Sequence, residues 1–275
     1  MKYKTTPVLR YNAYAREYER ALRAFSRSMC KSIEYHVIAA LRRNGIISYD
    51  AYNPQLTPFN FKVTLKKLLE QWQSNADDLA DKLTDKQLRR LVAYVNRRYT
   101  PILGAKAKIN TARLKQLIKA RYYENVALIK SIPQETIRRY ESVLYSAITG
   151  GDEYTIRKNL EVIKGISERR AITIARDQTA KALEAINIAR CEQIGLKYYE
   201  WHTAEDERVS TGKGGHKQLN GKIFRYDKPE AIIDSYGNKG HPAERVNCRC
   251  IALGVFLEPG QTVKRAKDGY GYVVV

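Results

Sequence analysis

No stretch of this 275-residue chain approaches the ~18 consecutive apolar residues that a membrane span needs, so a span is excluded and no membrane partner is expected. The opening Met1-Lys2-Tyr3-Lys4-Thr5-Thr6-Pro7 lacks an apolar core, and no secretory signal is predicted. Cysteine is scarce. Its four copies, at 30, 191, 248 and 250, make no disulfide framework. A bridge between Cys248 and Cys250 would close a strained loop, so reduced thiols and assembly in a cytoplasm are expected. Histidine is as scarce, with 4 copies, and 5 phenylalanines stand against 20 tyrosines. There is no internal repeat of fixed period and no low-complexity tract. What is present, 44% hydrophobic and 28% charged residues, belongs to a folded chain long enough for two domains or for one with a long extension.

The net charge of +20 is unevenly spread. Residues 1–200 hold 37 Lys+Arg against 20 Asp+Glu, an excess of 17, while residues 201–250 hold 9 against 7 and the tail 3 against 2. Such an excess favours polyanions through phosphate neutralisation, and equally suits an acidic protein surface. Arginine and tyrosine alternate in Arg97-Arg98-Tyr99, Arg121-Tyr122-Tyr123 and Arg138-Arg139-Tyr140. Arg97, Arg98, Arg121, Arg138 and Arg139 are therefore candidate nucleic-acid contacts, while the rings, at helical spacing, also suit a core or interface.

Periodicity predicts an α+β protein. A mainly helical N-terminal region with long helices precedes a small mixed or β C-terminal domain. Residues 1–12 read as an extended arm. Tyr14, Tyr18, Leu22, Phe25, Met29, Ile33, Val37 and Leu41 then step by three or four along one helix face, ended by Asn44-Gly45. A linker over 46–60 follows. Helices are expected over about 61–82, from Thr84-Asp85-Lys86-Gln87 (a capping-box pattern) to Thr100-Pro101, and over about 105–130. Ser131-Ile132-Pro133 is expected to cap a helix running to Thr149, and two more are expected over 153–164 and 168–194, the last closed by Gly195. Beyond it, strands are expected near 197–202, 221–226, 250–256 and 271–275.

The chemistry-bearing residues gather between Trp201 and Cys250, which hold three of the four histidines and two of the four cysteines. Zinc takes about four imidazole and thiolate ligands, and His216, His241, Cys248 and Cys250 could supply a Cys2His2 set. The other reading makes Asn247-Cys248-Arg249-Cys250 a tight turn into a buried strand, with the cysteines as small apolar side chains. Asp206 and Arg208 are expected to pair and pin a loop, with His216 bonding to them. A catalytic reading makes His216 a general base with Asp206 behind it, or sets His202, Asp206 and His216 around an ion in a metal-dependent nuclease. Such a site needs a third group and an electrophilic pocket, so no catalytic residue is assigned and a non-enzyme is expected. A zinc-stabilised DNA-binding regulator is a third reading, without an evident recognition helix. Ser210-Thr211-Gly212-Lys213-Gly214-Gly215 has the wrong order for a phosphate loop and is read as a flexible insertion.

The ordered set Trp201, Asp206-x-Arg208, His216-x-x-Leu219-x-Gly221, His241-Pro242 and Asn247-Cys248-Arg249-Cys250 resembles the tailed-phage head morphogenesis family, the minor head proteins similar to protein F of phage Mu. The alanine-rich helix from Arg170 to Asn187 is similar to the family's lead-in, with Asp177-Gln178 where Thr-Glu is common. The resemblance covers about 165–255. It implies a head-morphogenesis-like module over 166–256, set between the basic helical region over 1–165, which carries no motif of the family over 1–160, and a tail over 257–275 with a candidate strand. Trp201, Asp206, Arg208, Gly221 and Asn247 become structural motif residues. It further implies a minor virion component in the head interior or at the portal vertex, assembled in the bacterial host cytoplasm. The expected partners are the portal protein, the major capsid protein or both, and double-stranded DNA contacted without sequence preference.

Overall fold

The apolar stripe that begins at Ala13 becomes one long helix. In the computed structural model, which describes residues 3–4, 13–43, 58–109, 111–149, 152–212, 214–267 and 270–275, helix α1 spans Ala13–Arg43. It buries Tyr18, Leu22, Met29, Ile33, Val37 and Leu41 and leaves Arg16, Arg20, Arg27, Lys31 and Arg42 exposed. Helices α2 (Pro58–Leu103), α3 (Ala112–Ile148) and α4 (Glu153–Gln193) follow, and antiparallel strands come after them, so the chain is α+β as expected. No described helix is long and apolar enough to cross a membrane. Apart from a strand at Tyr3–Lys4, the expected arm lies outside the described residues. So do the Asn44-Gly45 stop, the linker through residue 57 and Gly150-Gly151.

Three expected helix breaks are bridged and a fourth is displaced by a few residues. Thr84 and Gln87 lie inside α2 and are buried, and the Gln87 amide donates to the Thr179 hydroxyl at 3.1 Å, so it does not reach back to a cap. Thr100 and Pro101 do not stop α2 at once. The Thr100 hydroxyl donates to the Asn96 carbonyl at 2.9 Å and the helix runs on to Leu103. Helix α3 passes through Pro133 with Ile129, Ile132 and Ile137 buried about it, packing that outweighs a penalty of about 3 kcal/mol for the missing N–H and ring clash. Helix α4 passes through Gly165, which costs only about 1 kcal/mol. Ser167, two residues on, is held in a buried hydroxyl cluster with Ser26 at 2.8 Å and Thr136 at 3.0 Å.

The helices thread two compact units. One comprises residues 16–86 and 123–175 and is a helical bundle. Within it Tyr18 donates to Asn125 at 2.6 Å, Phe25 meets Trp72 edge-on at 5.7 Å, and Arg27 pairs with Glu168 at 2.8 Å. The other comprises residues 1–15, 87–122 and 176–275 and contains the sheet. Its strands are β1 (Tyr3–Lys4), β2 (Tyr198–His202), β3 (Ile223–Arg225), β4 (Ala231–Ile232), β5 (Lys239–Gly240), β6 (Ile251–Phe256), β7 (Val263–Arg265) and β8 (Tyr272–Val274). Six form an antiparallel sheet in the order β1-β6-β2-β3-β8-β7, and β4 pairs with β5 alone.

Gly195 ends α4 in the left-handed conformation (φ +80). The Leu196 N–H reaches back to the Cys191 carbonyl at 3.0 Å and the Gly195 N–H to Glu192 at 2.9 Å, a Schellman closure that turns the chain into β2. Trp201 then faces Ala252 across β2 and β6. Helix α4 grips β6 at that residue. The Ala252 N–H donates to Glu184 at 3.0 Å, Asn187 donates to the Ala252 carbonyl at 2.9 Å, and the Tyr99 hydroxyl donates to Asn187 at 2.6 Å. All of these groups are buried. Asn187→Ala therefore strands the Ala252 carbonyl and leaves the Tyr99 hydroxyl only the Cys191 sulfur at 3.1 Å, and is expected to cost about 1–3 kcal/mol in chemical denaturation. A loss below about 0.5 kcal/mol would show that the grip adds nothing to apolar packing.

Candidate functional site

The loop after β2 is anchored before it reaches any reactive group. The Thr203 N–H donates to Asn220 at 2.9 Å, and the Asn220 amide donates to Glu205 at 2.9 Å. Gly221 (φ +75) turns the chain so that its N–H meets the Trp201 carbonyl at 2.8 Å. Trp201 is fully buried, edge-on to His216 at 5.3 Å and to Phe224 at 6.0 Å. The expected Asp206–Arg208 pair forms at 3.0 Å, but the stronger partner is Arg249, whose guanidinium grips both carboxylate oxygens, with Nη2 2.6 Å from Oδ1. Those bonds from Arg249, opposed by partial desolvation and aided by Arg208, hold the Asp206 carboxyl well below the usual carboxylate range. Residue spacing did not reveal this pair, because 43 positions separate its members.

The glycine run is not the loose insertion the sequence suggests. A Cβ on Gly214 (φ +70) would lie 2.0 Å from the Asp234 carbonyl oxygen, and one on Gly215 would lie 2.5 Å from the Thr211 carbonyl carbon. Only glycine fits either place. Lys213 lies outside the described residues. The Ser210 hydroxyl accepts from the His216 N–H at 3.0 Å, and the Ser210 carbonyl accepts from the Lys217 N–H at 3.0 Å. The run thus delivers His216 into the interior at the head of a 3-10 turn, His216–Leu219.

A second turn delivers the cysteines. Ala243 and Asn247 both take positive φ, 68° and 60°, and the Asn247 N–H is held by the Asp177 carboxylate at 3.1 Å. Cys248 Sγ receives the Ala243 N–H at 3.3 Å and the Cys250 N–H at 3.4 Å. His216 Nδ1 lies 3.3 Å from Cys250 Sγ and 3.4 Å from Cys248 Sγ, while Nε2 donates to the Ile233 carbonyl at 2.9 Å. The hydrogen bond from Cys250, against the cost of burial and with the bond and charge of His216, pulls the Cys248 thiol down to about 4. Burial works against a charged His216, but the bond and charge of Cys248 outweigh it and raise the imidazole above its ordinary value. All four cysteines are free thiols.

Three of the four expected metal ligands therefore meet, their donor atoms within 4.8 Å of one another. His241 stays out of that group. Its Nδ1 lies 3.1 Å from the Tyr199 hydroxyl and its ring is edge-on to Tyr199 at 5.7 Å, which commits it to the sheet core. The nuclease trio does not assemble either. Asp206 is held by arginines, and His216 faces the two thiols and a carbonyl instead of His202 and Asp206.

The five candidate DNA-contact arginines divide between the units, with Arg97, Arg98 and Arg121 in the sheet-containing one and Arg138 and Arg139 in the bundle. Arg97 donates to the Tyr14 hydroxyl at 3.1 Å, and Arg98 lies over the Tyr94 ring at 5.5 Å. Arg121 is half-buried, and Arg138 and Arg139 are exposed. Tyr99 and Tyr140 are buried, which removes them as stacking surfaces, while Tyr123 is 60% exposed.

Comparison with known proteins agrees with the motif order. The family model described as Phage Mu protein F like protein matches residues 138–253, and this stretch of the chain is Mu protein F-like. An uncharacterized protein of Haemophilus influenzae is 33% identical over 161 residues, covering 57% of this chain and 33% of that protein. The chain thus spans about a third of the length of this curated relative. No solved structure matches it.

Asp206 joins its loop to the cysteine turn through Arg249, and this yields a pH test. A carboxylate held low in the folded state contributes stability above its ordinary value, ~3.9, and that contribution is lost as pH falls through the depressed folded value. The native chain should melt above Arg249→Ala at neutral pH, and the gap should narrow as the buffer is taken below about pH 4. A gap independent of pH would show that Arg249 acts by packing alone.

Proposed function

We propose that this chain is a minor component of a tailed-phage head, acting in head assembly at or near the portal and lying against packaged DNA without sequence preference. The observation that carries the reading is the family match over 138–253, which contains the whole ordered set from Trp201 to Cys250. Portal protein, major capsid protein or both are the proposed protein partners. The DNA half rests on the excess of 17 basic residues within 1–200 and on exposed arginines such as Arg16, Arg20, Arg138 and Arg139. The prior engagement of Asp206 with Arg249 favours this reading over a nuclease built on His202, Asp206 and His216.

Two measurements test it. Mass spectrometry of purified particles should find the chain in virions at low copy number, and its absence from DNA-filled heads would overturn the head assignment. Random-sequence duplexes should bind the purified chain with similar affinity. Neutralising three phosphates predicts a fall of about 40-fold between 50 and 200 mM salt. Arg138→Glu with Arg139→Glu should weaken all duplexes alike and flatten that salt dependence. Affinity unchanged over the range would remove DNA from the proposal, and metal-dependent plasmid nicking abolished by His216→Ala would replace it with the nuclease.

A further inference from the structure

The buried group of His216, Cys248 and Cys250 has the spacing of a metal centre. With Zn–N near 2.0–2.1 Å and Zn–S near 2.3 Å, tetrahedral geometry sets nitrogen and sulfur about 3.5 Å apart. Here Nδ1 stands 3.3 and 3.4 Å from the two sulfurs. The surroundings also suit an ion. The Ile233 carbonyl takes the Nε2–H at 2.9 Å, which fixes the tautomer that turns the Nδ1 lone pair toward the thiols, as outer-sphere partners of metal-bound imidazoles do. Two backbone N–H groups, from Ala243 and Cys250, point at Cys248 Sγ, an arrangement that favours sulfur as thiolate. One of them depends on an alanine held at φ +68°, a conformation that costs a non-glycine residue. A turn that served only to bury two small side chains would need neither the strain nor the donors.

The fourth coordination place distinguishes this centre from a closed structural one. A cavity of about 190 Å³ opens on His216, Cys248 and Cys250, and Ser210, Arg208, Arg245 and Arg249 are on its wall. Asp206 offsets part of that positive charge. Arg245 and Arg208 are exposed, so the cavity meets solvent at a basic mouth.

We propose that His216 Nδ1, Cys248 Sγ and Cys250 Sγ bind one zinc ion whose fourth place faces this arginine-lined cavity and takes water or a small anion. One imidazole and two thiolates suit zinc by softness and geometry, and the two thiolate charges balance the ion. His241, paired with Tyr199, is not a ligand. The proposal stands apart from the head assignment, since a metal-free chain in virions, or a zinc-bearing chain absent from them, would sink one without the other.

The full chain, purified under reducing conditions, should carry about one zinc per molecule by elemental analysis. His216→Ala, Cys248→Ser and Cys250→Ser should each lose it, and His241→Ala should keep it. Should a variant fail to fold, the native chain still decides. Zinc must protect Cys248 and Cys250 from alkylation, and chelation must expose them. Cobalt(II) put in place of zinc should give a sulfur-to-metal charge-transfer band and the intense visible bands of a tetrahedral site. Added azide should shift the visible bands. A native chain that neither retains zinc nor takes up cobalt overturns the site, as does zinc that survives both serine substitutions. A cobalt spectrum indifferent to azide overturns the open fourth place.

Discussion

One face of α4 holds the C-terminal part of the molecule in register. Asp177, Glu184 and Asn187, spaced by seven and three residues, take the Asn247 N–H, the Ala252 N–H and the Ala252 carbonyl in turn. A strand needs partners for both its backbone groups, and here a helix supplies them at the residue opposite Trp201. Because the cysteine turn lies between those contact points, anything that moves α4 along β6 also moves Cys248 and Cys250. The Asp177-Gln178 pair, a departure from the common lead-in sequence, has a structural task in this chain. Asp177 is buried, bonds the turn, and is paired with Lys181 at 2.9 Å.

The reactive side chains reach one place by backbone conformations that most residues avoid. Gly214 and Gly221 take positive φ on the histidine side, and Ala243 and Asn247 do so on the cysteine side. The two turns meet where His216 Nδ1 faces the two thiols, the Asp206–Arg249 grip ties the loop after β2 to the cysteine turn, and the ring of Trp201 packs against His216. Ion pair, aromatic contact and imidazole–thiol contacts thus converge on some ten residues drawn from fifty. The bundle has a different character, built from long apolar stripes with a few buried hydroxyls such as Ser26, Ser167 and Thr136.

The family match spans residues 138–253 and so draws on both units, from α3 in the bundle to β6 in the sheet. Helix α4 is continuous from Glu153 to Gln193 and contributes to each. The alanine spacing read as a lead-in becomes buried contact at Ala171, Ala175, Ala182, Ala185 and Ala189. Small side chains at those places let neighbouring elements approach that part of the helix closely.

Periodicity made much of this legible in the sequence. The stripe from Tyr18 to Leu41, the change of texture at Gly195, the four main strands and the gathering of His216 with Cys248 and Cys250 all follow from side-chain pattern. Local signals such as Thr84, Pro133 and Gly165 misled about where helices end, because burial outweighs a cap or a proline and burial is not a local property. Tertiary structure alone decided that Arg249 holds Asp206, that Tyr199 claims His241, and that Gly214 and Gly215 are wedged against neighbouring backbone. Each of these joins residues by contact across the fold, and a linear pattern carries residue type and spacing but not proximity.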